Sequence, residues 1–377
     1  MQMFLLPLMT FNARPFPPSS EHLYRRLTPD GSSPPFPFLW VALALRSAAL
    51  HAPAAYVASN LQCAPLVEKL VHSPSTKVDV SKATSLLTNA SAYATSPLPG
   101  PLNADTPQRL LSRRIDEARL YVLERMEADE RLRLILPSIR LPGSGAFLNV
   151  IPSPSLKLHI HKSEFVMAVK YRMGLPVFPS DSLCTFCGKE SDIFGDHAIS
   201  ACHTSGGIIR RHDLLRDAVF DTAYAALLRP KKEERNLLND DSRPGDITIR
   251  GWARSRGKEK TAFDITVVSP LRQDVRAHAF HDPKVVLQRS REAKFCKYDG
   301  KLPPEVDLIP LVVTTFGAWE EDAHANLKEI VSHQGRNAAS DSSLFQRLSV
   351  RLQRENGSLL FERSPLSSLH PSIDGII

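Results

Sequence analysis

The chain has 377 residues, enough for about two or three compact domains with their own cores. Thirty of these residues are prolines, most of them in the first half, which argues against extensive regular structure there. Lys plus Arg exceed Asp plus Glu by 47 to 40, a formal charge of +7. This small excess is compatible with a nucleic-acid partner, and equally with a slightly basic protein that has none.

The cysteines and the apolar segments limit where the protein can reside. Five cysteines, an odd and sparse set, argue against a secreted disulfide scaffold. Residues Met1 to Phe11 are apolar but short, with no basic residue ahead of them, so they make a poor signal peptide. The apolar stretch from Phe38 to Ala58 is interrupted by Arg46 and His51, which argues against a membrane span. We therefore expect an intracellular protein without a membrane partner.

In the first half, residues 1–40 lack periodicity and are predicted to be disordered or out of context. Residues 41–175 are predicted to form a helical region. Within it, Thr106 and Pro107 are typical of a helix start, and the apolar stripe that follows predicts a helix to about Leu136. A short helix is expected from Ser163 to Arg172.

The second half is more regular, and residues 206–335 are predicted to form an α/β domain. Its expected elements, in order, are a helix at 210–228, a weak strand near Leu237, strands at 246–252 and 261–268, a helix at 282–298, a strand at 308–315 and a helix at 318–332. Asp282 is the expected cap of its helix, with Pro283 at the first position. Residues 336–377 are predicted to be a further helix and a polar tail.

Four metal-binding side chains lie between these halves. Residues 180–205 contain two cysteines separated by two residues, then a histidine and a third cysteine: Cys184, Cys187, His197 and Cys202. These are the ligands that tetrahedral zinc prefers, and four protein ligands leave no open position, so the spacing predicts a structural zinc knuckle. His203 is an alternative ligand, and Asp196 a candidate to orient His197. The alternative interpretation is a set of free thiols beside an unrelated histidine. Such a knuckle contacts nucleic acid in some proteins and only holds a loop in others.

Two acidic residues lie at the ends of strand-like segments. Asp246 follows Pro244-Gly245, and Asp264 interrupts the apolar run 262–268. A carboxylate in such a run is costly to bury unless it is paired or binds a cation. If the two segments are neighbouring strands, Asp246 and Asp264 can share one Mg²⁺ or Mn²⁺ that activates water for phosphodiester hydrolysis. Otherwise Asp246 caps a turn and Asp264 pairs with an arginine.

Basic residues accompany both features. The lysines of the helix after the second acid, Lys284, Lys294 and Lys297, are candidates to complete the catalytic site. A second set is expected to contact the phosphates or bases of DNA, or of RNA, and consists of Arg210, Arg211, Arg250, Trp252, Arg254, Arg256, Lys258 and Lys260. A basic hairpin tip of this kind is often simply solvated.

Several motifs in this order resemble a known family. They are the Cys-Cys-His-Cys cluster, Arg211-His212-Asp213, Arg-Pro-Gly-Asp at 243–246, Phe-Asp-Ile-Thr-Val at 263–267, and the segment 294–298. Together with the segments 45–48, 51–55 and 142–149, they resemble the region after the reverse transcriptase in non-LTR retrotransposon proteins that carry a restriction-enzyme-like endonuclease. The resemblance covers about residues 41 to 335.

This resemblance implies a fold and a chemistry. The fold is the PD-(D/E)xK nuclease core, with the element order αβββαβ, and the activity is metal-dependent DNA cleavage. Asp246 matches the first metal-binding acid of the family and Asp264 the second. Thr266 stands where the usual lysine would follow, so Lys294 or Lys297 is expected to take its role from the next helix. Gly245 is an insertion relative to the usual Pro-Asp.

The resemblance also implies partners, and it leaves three functions open. The 40 residues before the matching region cannot hold a polymerase, so we expect a retroelement fragment that depends on a separate reverse transcriptase chain. A DNA substrate favours the nucleus over the cytoplasm. The leading hypothesis is a DNA endonuclease; the alternatives are a catalytically inactive nucleic-acid-binding remnant and a translated relic without function.

Overall fold

A computed structural model describes residues 48–71, 79–94, 102–126, 129–235, 237, 244–252, 254, 257–334 and 342–364. The predictions for residues 1–40 and for the polar tail after 364 lie outside these ranges. The chain forms two compact units, Met1–Glu127 and Ala128–Ile377.

Within the described ranges, the first unit contains three helices: α1 (Ala48–Val71), α2 (Ser81–Ala90) and α3 (Gln108–Met126). Small and branched apolar side chains from all three meet in one core, among them Ala54, Val57, Leu87 and Leu111. The Nε2 atom of His51 on α1 lies 3.0 Å from a carboxylate oxygen of Asp116 on α3, which ties these two helices together.

The helix predicted to run to Leu136 is two helices. α3 ends at Met126, and α4 (Glu130–Arg140) begins after Asp129. The Asp129 carboxylate accepts hydrogen bonds from the backbone N–H groups of Arg131 and Leu132, as an N-cap does. The apolar periodicity continues across this break, which is why the sequence pattern alone suggested one helix.

The second unit contains eight α-helices within the described ranges, a short 3₁₀ helix at Ala146–Asn149 and two sheets. The α-helices are α4, α5 (Lys162–Arg172), α6 (Asp196–Ser200), α7 (Gly207–Ala225), α8 (Gln273–His281), α9 (Pro283–Tyr298), α10 (Glu321–Ser332) and α11 (Ser342–Phe361). The strands are β1 (Ser182–Leu183), β2 (Glu190–Ser191), β3 (Lys231–Lys232), β4 (Ile247–Arg250), β5 (Lys260–Val268) and β6 (Val306–Thr314).

The larger sheet has the strand order β3-β4-β5-β6. β3, β4 and β5 are antiparallel neighbours, and β6 runs parallel to β5. Between β5 and β6 the chain crosses over through α8 and α9, as parallel strands require. The second unit is therefore a mixed α/β structure, as the coarse α/β class predicted from the sequence requires.

Two elements differ from the sequence-based prediction. The weak strand expected near Leu237 is at Lys231–Lys232, while Leu237 is a buried side chain outside the strands. The helix α8 was not predicted. Only Ala279 of its residues is buried, so the segment lacks the apolar periodicity by which a helix is recognised. The cap predicted at Asp282 is present, because its carboxylate accepts the Lys284 N–H at 2.9 Å.

The main core lies between the larger sheet and the helices α7, α10 and α11. Phe263 of β5 is fully buried and meets the Trp252 ring edge-on, with ring centroids 5.5 Å apart. Leu344, Leu348 and Leu352 of α11 belong to the same cluster. The helix predicted within residues 336–377 is thus an integral part of this core. Among the helices of the described ranges, none combines the length and apolar character that crossing a bilayer requires.

Candidate metal centres

The cysteine–histidine loop, residues 180–205, is organised by the hairpin of β1 and β2. The Cys184 N–H donates to the Lys189 carbonyl at 2.8 Å, and the Gly188 N–H donates to the Cys184 carbonyl at 2.8 Å. Gly188 has a φ of 68°, a left-handed conformation that glycine adopts without strain. This turn holds Cys184 and Cys187 side by side, while the short helix α6 presents His197 and ends just before Cys202.

The four side chains predicted as ligands converge on one point. Their ligand atoms all lie within 4.8 Å of one another. The Cys184 and Cys202 sulfurs are 3.7 Å apart, and Nε2 of His197 lies 3.2 Å from the Cys187 sulfur. Two thiolates on a tetrahedral zinc, with bonds of about 2.3 Å, are separated by about 3.8 Å. The loop therefore has the donors and the spacing to hold a metal ion such as zinc.

The environment favours the thiolate form of one cysteine. Burial raises the pKa of the Cys184 thiol, but hydrogen bonds from the backbone of Phe186 and Cys187 and from His197 outweigh this and lower the pKa to about 6. A thiolate is the form that binds a metal. His203, the alternative ligand, is exposed and does not belong to the converging group.

Asp196 does not orient His197 as the sequence suggested. Its carboxylate forms a two-point ion pair with Arg131, at 2.5 Å and 2.9 Å. The Arg131 guanidinium also lies 4.3 Å above the centre of the Phe194 ring. A different acid, Asp192, accepts the His197 backbone N–H at 3.0 Å. The loop is thus fixed to α4 by an arginine 65 residues earlier in the chain, a partner that local spacing cannot identify.

The loop is also packed against the end of α11. The Arg363 guanidinium lies 4.8 Å from the centre of the Phe186 ring, and it donates to the Ser205 hydroxyl at 2.8 Å. A Cβ atom at Gly195 would overlap the Leu360 side chain. These contacts join the cysteine–histidine loop to a helix of the main core.

The two predicted carboxylates lie close together where β4 begins beside β5. Ile247, the first residue of β4, pairs with Phe263 of β5, and Asp246 directly precedes Ile247. The Asp246 N–H donates to the Phe263 carbonyl at 2.8 Å, and the Ile265 N–H donates to Asp246 Oδ2 at 2.6 Å. The two chain neighbours of Asp264 therefore hold Asp246 against β5, and the Asp246 charge raises the pKa of Asp264. A Cβ at Gly245 would lie 2.7 Å from the Ala262 Cβ, so this close approach requires glycine before Asp246.

Asp264 is largely buried and has one cationic partner. Its residue is 7% exposed, and its Oδ2 lies 2.8 Å from the Lys294 ammonium on α9. Burial raises the pKa of the Asp264 carboxyl, and the nearby Asp246 charge raises it further. The Lys294 charge acts in the opposite direction and lowers this pKa. We refer to Asp246, Asp264 and Lys294 as the acidic centre.

The other two candidate lysines have different neighbours. Lys297 lies 4.7 Å from the centre of the Tyr298 ring, and Tyr298 raises the pKa of Lys297. Lys284 pairs with Glu321 at 2.9 Å. Of the three lysines, Lys294 is therefore the one placed directly against a carboxylate of the centre.

Four residues beside the acidic centre were missed as site residues. Nε2 of His212 lies 3.1 Å from Asp246 Oδ2, and its Nδ1 lies 3.2 Å from Asp213 Oδ1. Arg216 donates to Asp213 at 3.0 Å and to Glu233 at 2.6 Å. The spacing of His212, Asp213 and Arg216 along one turn of α7 was visible in the sequence. The sequence did not show that His212 contacts Asp246, which lies 34 residues further along the chain.

The histidine of this network carries a perturbed charge. Burial lowers the pKa of His212, but hydrogen bonding and charge interaction with Asp246, and then with Asp213, outweigh burial and raise the pKa to about 9. His212 is therefore protonated at neutral pH, and both ring N–H groups donate to carboxylates.

Two of the predicted nucleic-acid contacts are buried. Trp252 is 3% exposed, and its indole N–H donates to Asn326 at 3.0 Å. Arg211 is 2% exposed and donates to Asn356 at 2.7 Å. Neither side chain is accessible for stacking on a base or contacting a phosphate. Burial of Trp252 and Arg211 is incompatible with the nucleic-acid contacts expected of them. Their hydrogen-bond partners, Asn326 and Asn356, lie on helices far along the chain, so the sequence did not reveal this burial.

The remaining cations of this set that lie within the described residues have partners inside the protein. Arg210 pairs with Glu355 at 2.7 Å, Arg250 with Glu259 at 2.6 Å, and Lys260 lies 3.8 Å from Glu234. Arg254 lies 3.7 Å from Glu329, and the Lys258 ammonium donates to the Val306 carbonyl at 3.3 Å. Arg256 lies outside the described residues. These contacts leave no continuous unpaired basic surface among the described members of the set.

Comparison with known proteins adds no relatives. No model of a known protein family matches the chain, and no curated protein sequence matches it. We therefore infer function from the geometry of the cysteine–histidine loop and the acidic centre.

Proposed function

We propose that the second unit is a metal-dependent DNA endonuclease with a PD-(D/E)xK-type core. The observation that carries the proposal is the acidic centre: Asp246 Oδ2 is bound to the backbone N–H of Ile265, next to Asp264 on β5, and Lys294 lies 2.8 Å from Asp264. The element order α7, β3, β4, β5, α8 and α9, then β6, supports the same core, since it runs helix, three strands, helices and strand.

The donor set fits a hard divalent cation. Two carboxylates supply oxygen ligands and leave room for water, as Mg²⁺ and Mn²⁺ sites generally require. Burial and the nearby Asp246 charge both raise the pKa of Asp264. A cation bound by both carboxylates would neutralise their charge and so lower the pKa of Asp264. When bound, such a cation supplies Lewis-acid stabilisation and lowers the pKa of a water molecule for attack on a phosphodiester.

The three residues of the acidic centre would have two different roles, binding the cation and neutralising phosphate charge. Asp246 and Asp264 would hold the cation at the edge of β4 and β5. Lys294 carries three N–H donors, so beside Asp264 it retains donors that can neutralise charge on a phosphate oxygen. Its position on α9 compensates for Thr266, which occupies the usual lysine position on β5.

We assign zinc to the cysteine–histidine loop, in a structural role. Three thiols and one imidazole at tetrahedral spacing fit zinc, and no ligand position remains for a substrate. The contacts of the loop with Arg131 and Arg363 support a structural role, in which zinc keeps the loop folded against α4 and the end of α11. They do not favour a separate nucleic-acid contact.

The retroelement resemblance supports DNA as the substrate and the nucleus as the place of action. In that setting, a nick made by this chain would prime synthesis by a reverse transcriptase supplied by a separate chain. The first experiment is to incubate the zinc-loaded chain with supercoiled plasmid and Mg²⁺ or Mn²⁺. The test variant is Asp264→Ala, and the matched control is Asp299→Asn, an exposed acid at the end of α9.

We expect the parent and the control to nick the plasmid, and the Asp264 variant to be inactive. DNA binding without nicking by any of the three proteins would instead indicate a nucleic-acid-binding remnant. Neither binding nor nicking would contradict both functions and leave only the metal-binding loop.

A further inference from the structure

We propose that His212 is a positioning residue: it fixes the Asp246 carboxylate so that one oxygen is reserved for a divalent cation. The inference rests on the proposed nuclease function, because it assigns Asp246 to the cation site. It concerns α7, a helix that contributes none of the residues assigned to the acidic centre.

The two oxygens of Asp246 have different surroundings. Oδ2 accepts both the backbone N–H of Ile265, at 2.6 Å, and Nε2–H of His212, at 3.1 Å. Among the described residues, no hydrogen-bond donor contacts Oδ1 of Asp246. Two donors on one oxygen fix the rotation of the carboxylate group, and they leave Oδ1 free as a metal ligand.

His212 is itself held in place from its other side. Nδ1 faces Asp213 Oδ1 at 3.2 Å, and the same oxygen accepts from Arg216 at 3.0 Å. Arg216 in turn is bound by Glu233 at 2.6 Å. Since Glu233 donates its backbone N–H to the Asp246 carbonyl at 3.0 Å, the network begins and ends at Asp246. The imidazole therefore has one orientation, set by carboxylates at both nitrogens.

The geometry assigns His212 an indirect role. Within the described part of the chain, the one group of three or more His, Cys, Asp or Glu ligand atoms that converge is the cysteine–histidine loop. His212 thus does not complete a three-ligand site with Asp246 and Asp264. Groups that orient metal ligands in this way typically change metal affinity by about 10–100-fold when removed.

The test is a Mn²⁺ titration of the zinc-loaded full chain, followed by calorimetry, together with plasmid nicking as a function of Mn²⁺. For His212→Ala we expect the Mn²⁺ concentration at half-saturation to rise about 10–100-fold in both assays. The nicking rate at saturating Mn²⁺ should stay close to that of the parent. His212→Gln, which retains an N–H donor, should recover part of the affinity. The control is His278→Ala, an exposed histidine of α8, which should match the parent.

A purely structural histidine would give a different pattern: lower thermal stability with unchanged half-saturation by Mn²⁺, and that result would overturn the proposal. If His212→Ala does not fold, Asp213→Asn and His212→Gln decide. The proposal expects both to weaken Mn²⁺ binding, and parent-like binding in both would overturn it. If the parent nicks plasmid and His212→Ala has the same Mn²⁺ half-saturation as the parent, only the role of His212 is refuted. A parent that neither binds Mn²⁺ nor nicks removes the proposed function as well.

Discussion

Replacing Asp264 with asparagine should make the protein more stable, because the folded chain holds the ionised carboxylate at a cost. The residue is 7% exposed, and both burial and the Asp246 charge raise the pKa of its carboxyl. An amide has nearly the same shape and carries no charge. Lys294 loses its partner in this variant, but its side chain is 24% exposed and can be hydrated.

The size and pH dependence of the effect follow from these contacts. A stabilising substitution commonly raises the free energy of unfolding by about 0.5–2 kcal/mol, and each kcal/mol raises the Tm of a domain of this size by about 2–4 °C. Because the pKa of Asp264 is raised in the folded state, folding favours its protonated form. The advantage of the asparagine variant is therefore present at neutral pH. It declines as the pH falls through the raised pKa of the folded carboxyl, and it is absent below the pKa of an unfolded aspartate, about 3.9.

The assay is thermal unfolding of the parent, Asp264→Asn and Asp299→Asn, with zinc retained and with or without Mg²⁺. Without Mg²⁺ we expect only Asp264→Asn to melt higher than the parent. Mg²⁺ at about 100 times its Kd should stabilise the parent by about 2.7 kcal/mol and leave the Asp264 variant unchanged. If Asp264→Asn melts lower than the parent, Asp264 and Lys294 form a net stabilising ion pair and the reasoning fails.

Three further predictions follow from other contacts. Cys202→Ser should lower the free energy of unfolding of the second unit by several kcal/mol, on the order expected for loss of a structural zinc. If chemical denaturation gives the same free energy of unfolding as for the parent, the structural role of zinc is refuted. Lys294→Met should reduce nicking by about 100-fold, as loss of an electrostatic catalyst does, while Lys297→Met stays close to the parent; equal losses measured by single-turnover cleavage would contradict this assignment. Gly357→Ala should lower the free energy of unfolding by about 3 kcal/mol, the upper end of the usual cost of overpacking. The new Cβ would lie 2.7 Å from the Glu164 backbone carbonyl carbon, which cannot move aside; an unchanged Tm would contradict this packing of α11.

Local sequence signals predicted the elements that depend on local chemistry. The cap at Asp282 and the proline after it located the start of α9, and the β-rich composition of residues 261–268 located β5. The cysteine spacing identified all four members of the converging group. By contrast, α8 has too few buried residues to produce a periodic pattern, and the start of α4 depends on one capping aspartate.

Long-range partners could not be predicted. Residue type showed that Arg210 and Arg211 carry charge, but not that Glu355 and Asn356 of α11 satisfy them. For the same reason Trp252 suggested a stacking surface although it belongs to the core. His212 was overlooked as a site residue because its contact with Asp246 exists only after α7 packs against the sheet.

The most direct test of the cation site is a crystal of the zinc-loaded chain soaked in Mn²⁺, with anomalous scattering recorded to locate each metal. We expect one anomalous peak among Cys184, Cys187, His197 and Cys202, and a second peak bonded to Asp246 Oδ1 and to Asp264. A cysteine–histidine peak alone, with Lys294 still against Asp264 and no density between the two carboxylates, would contradict the claim that these acids hold a divalent cation.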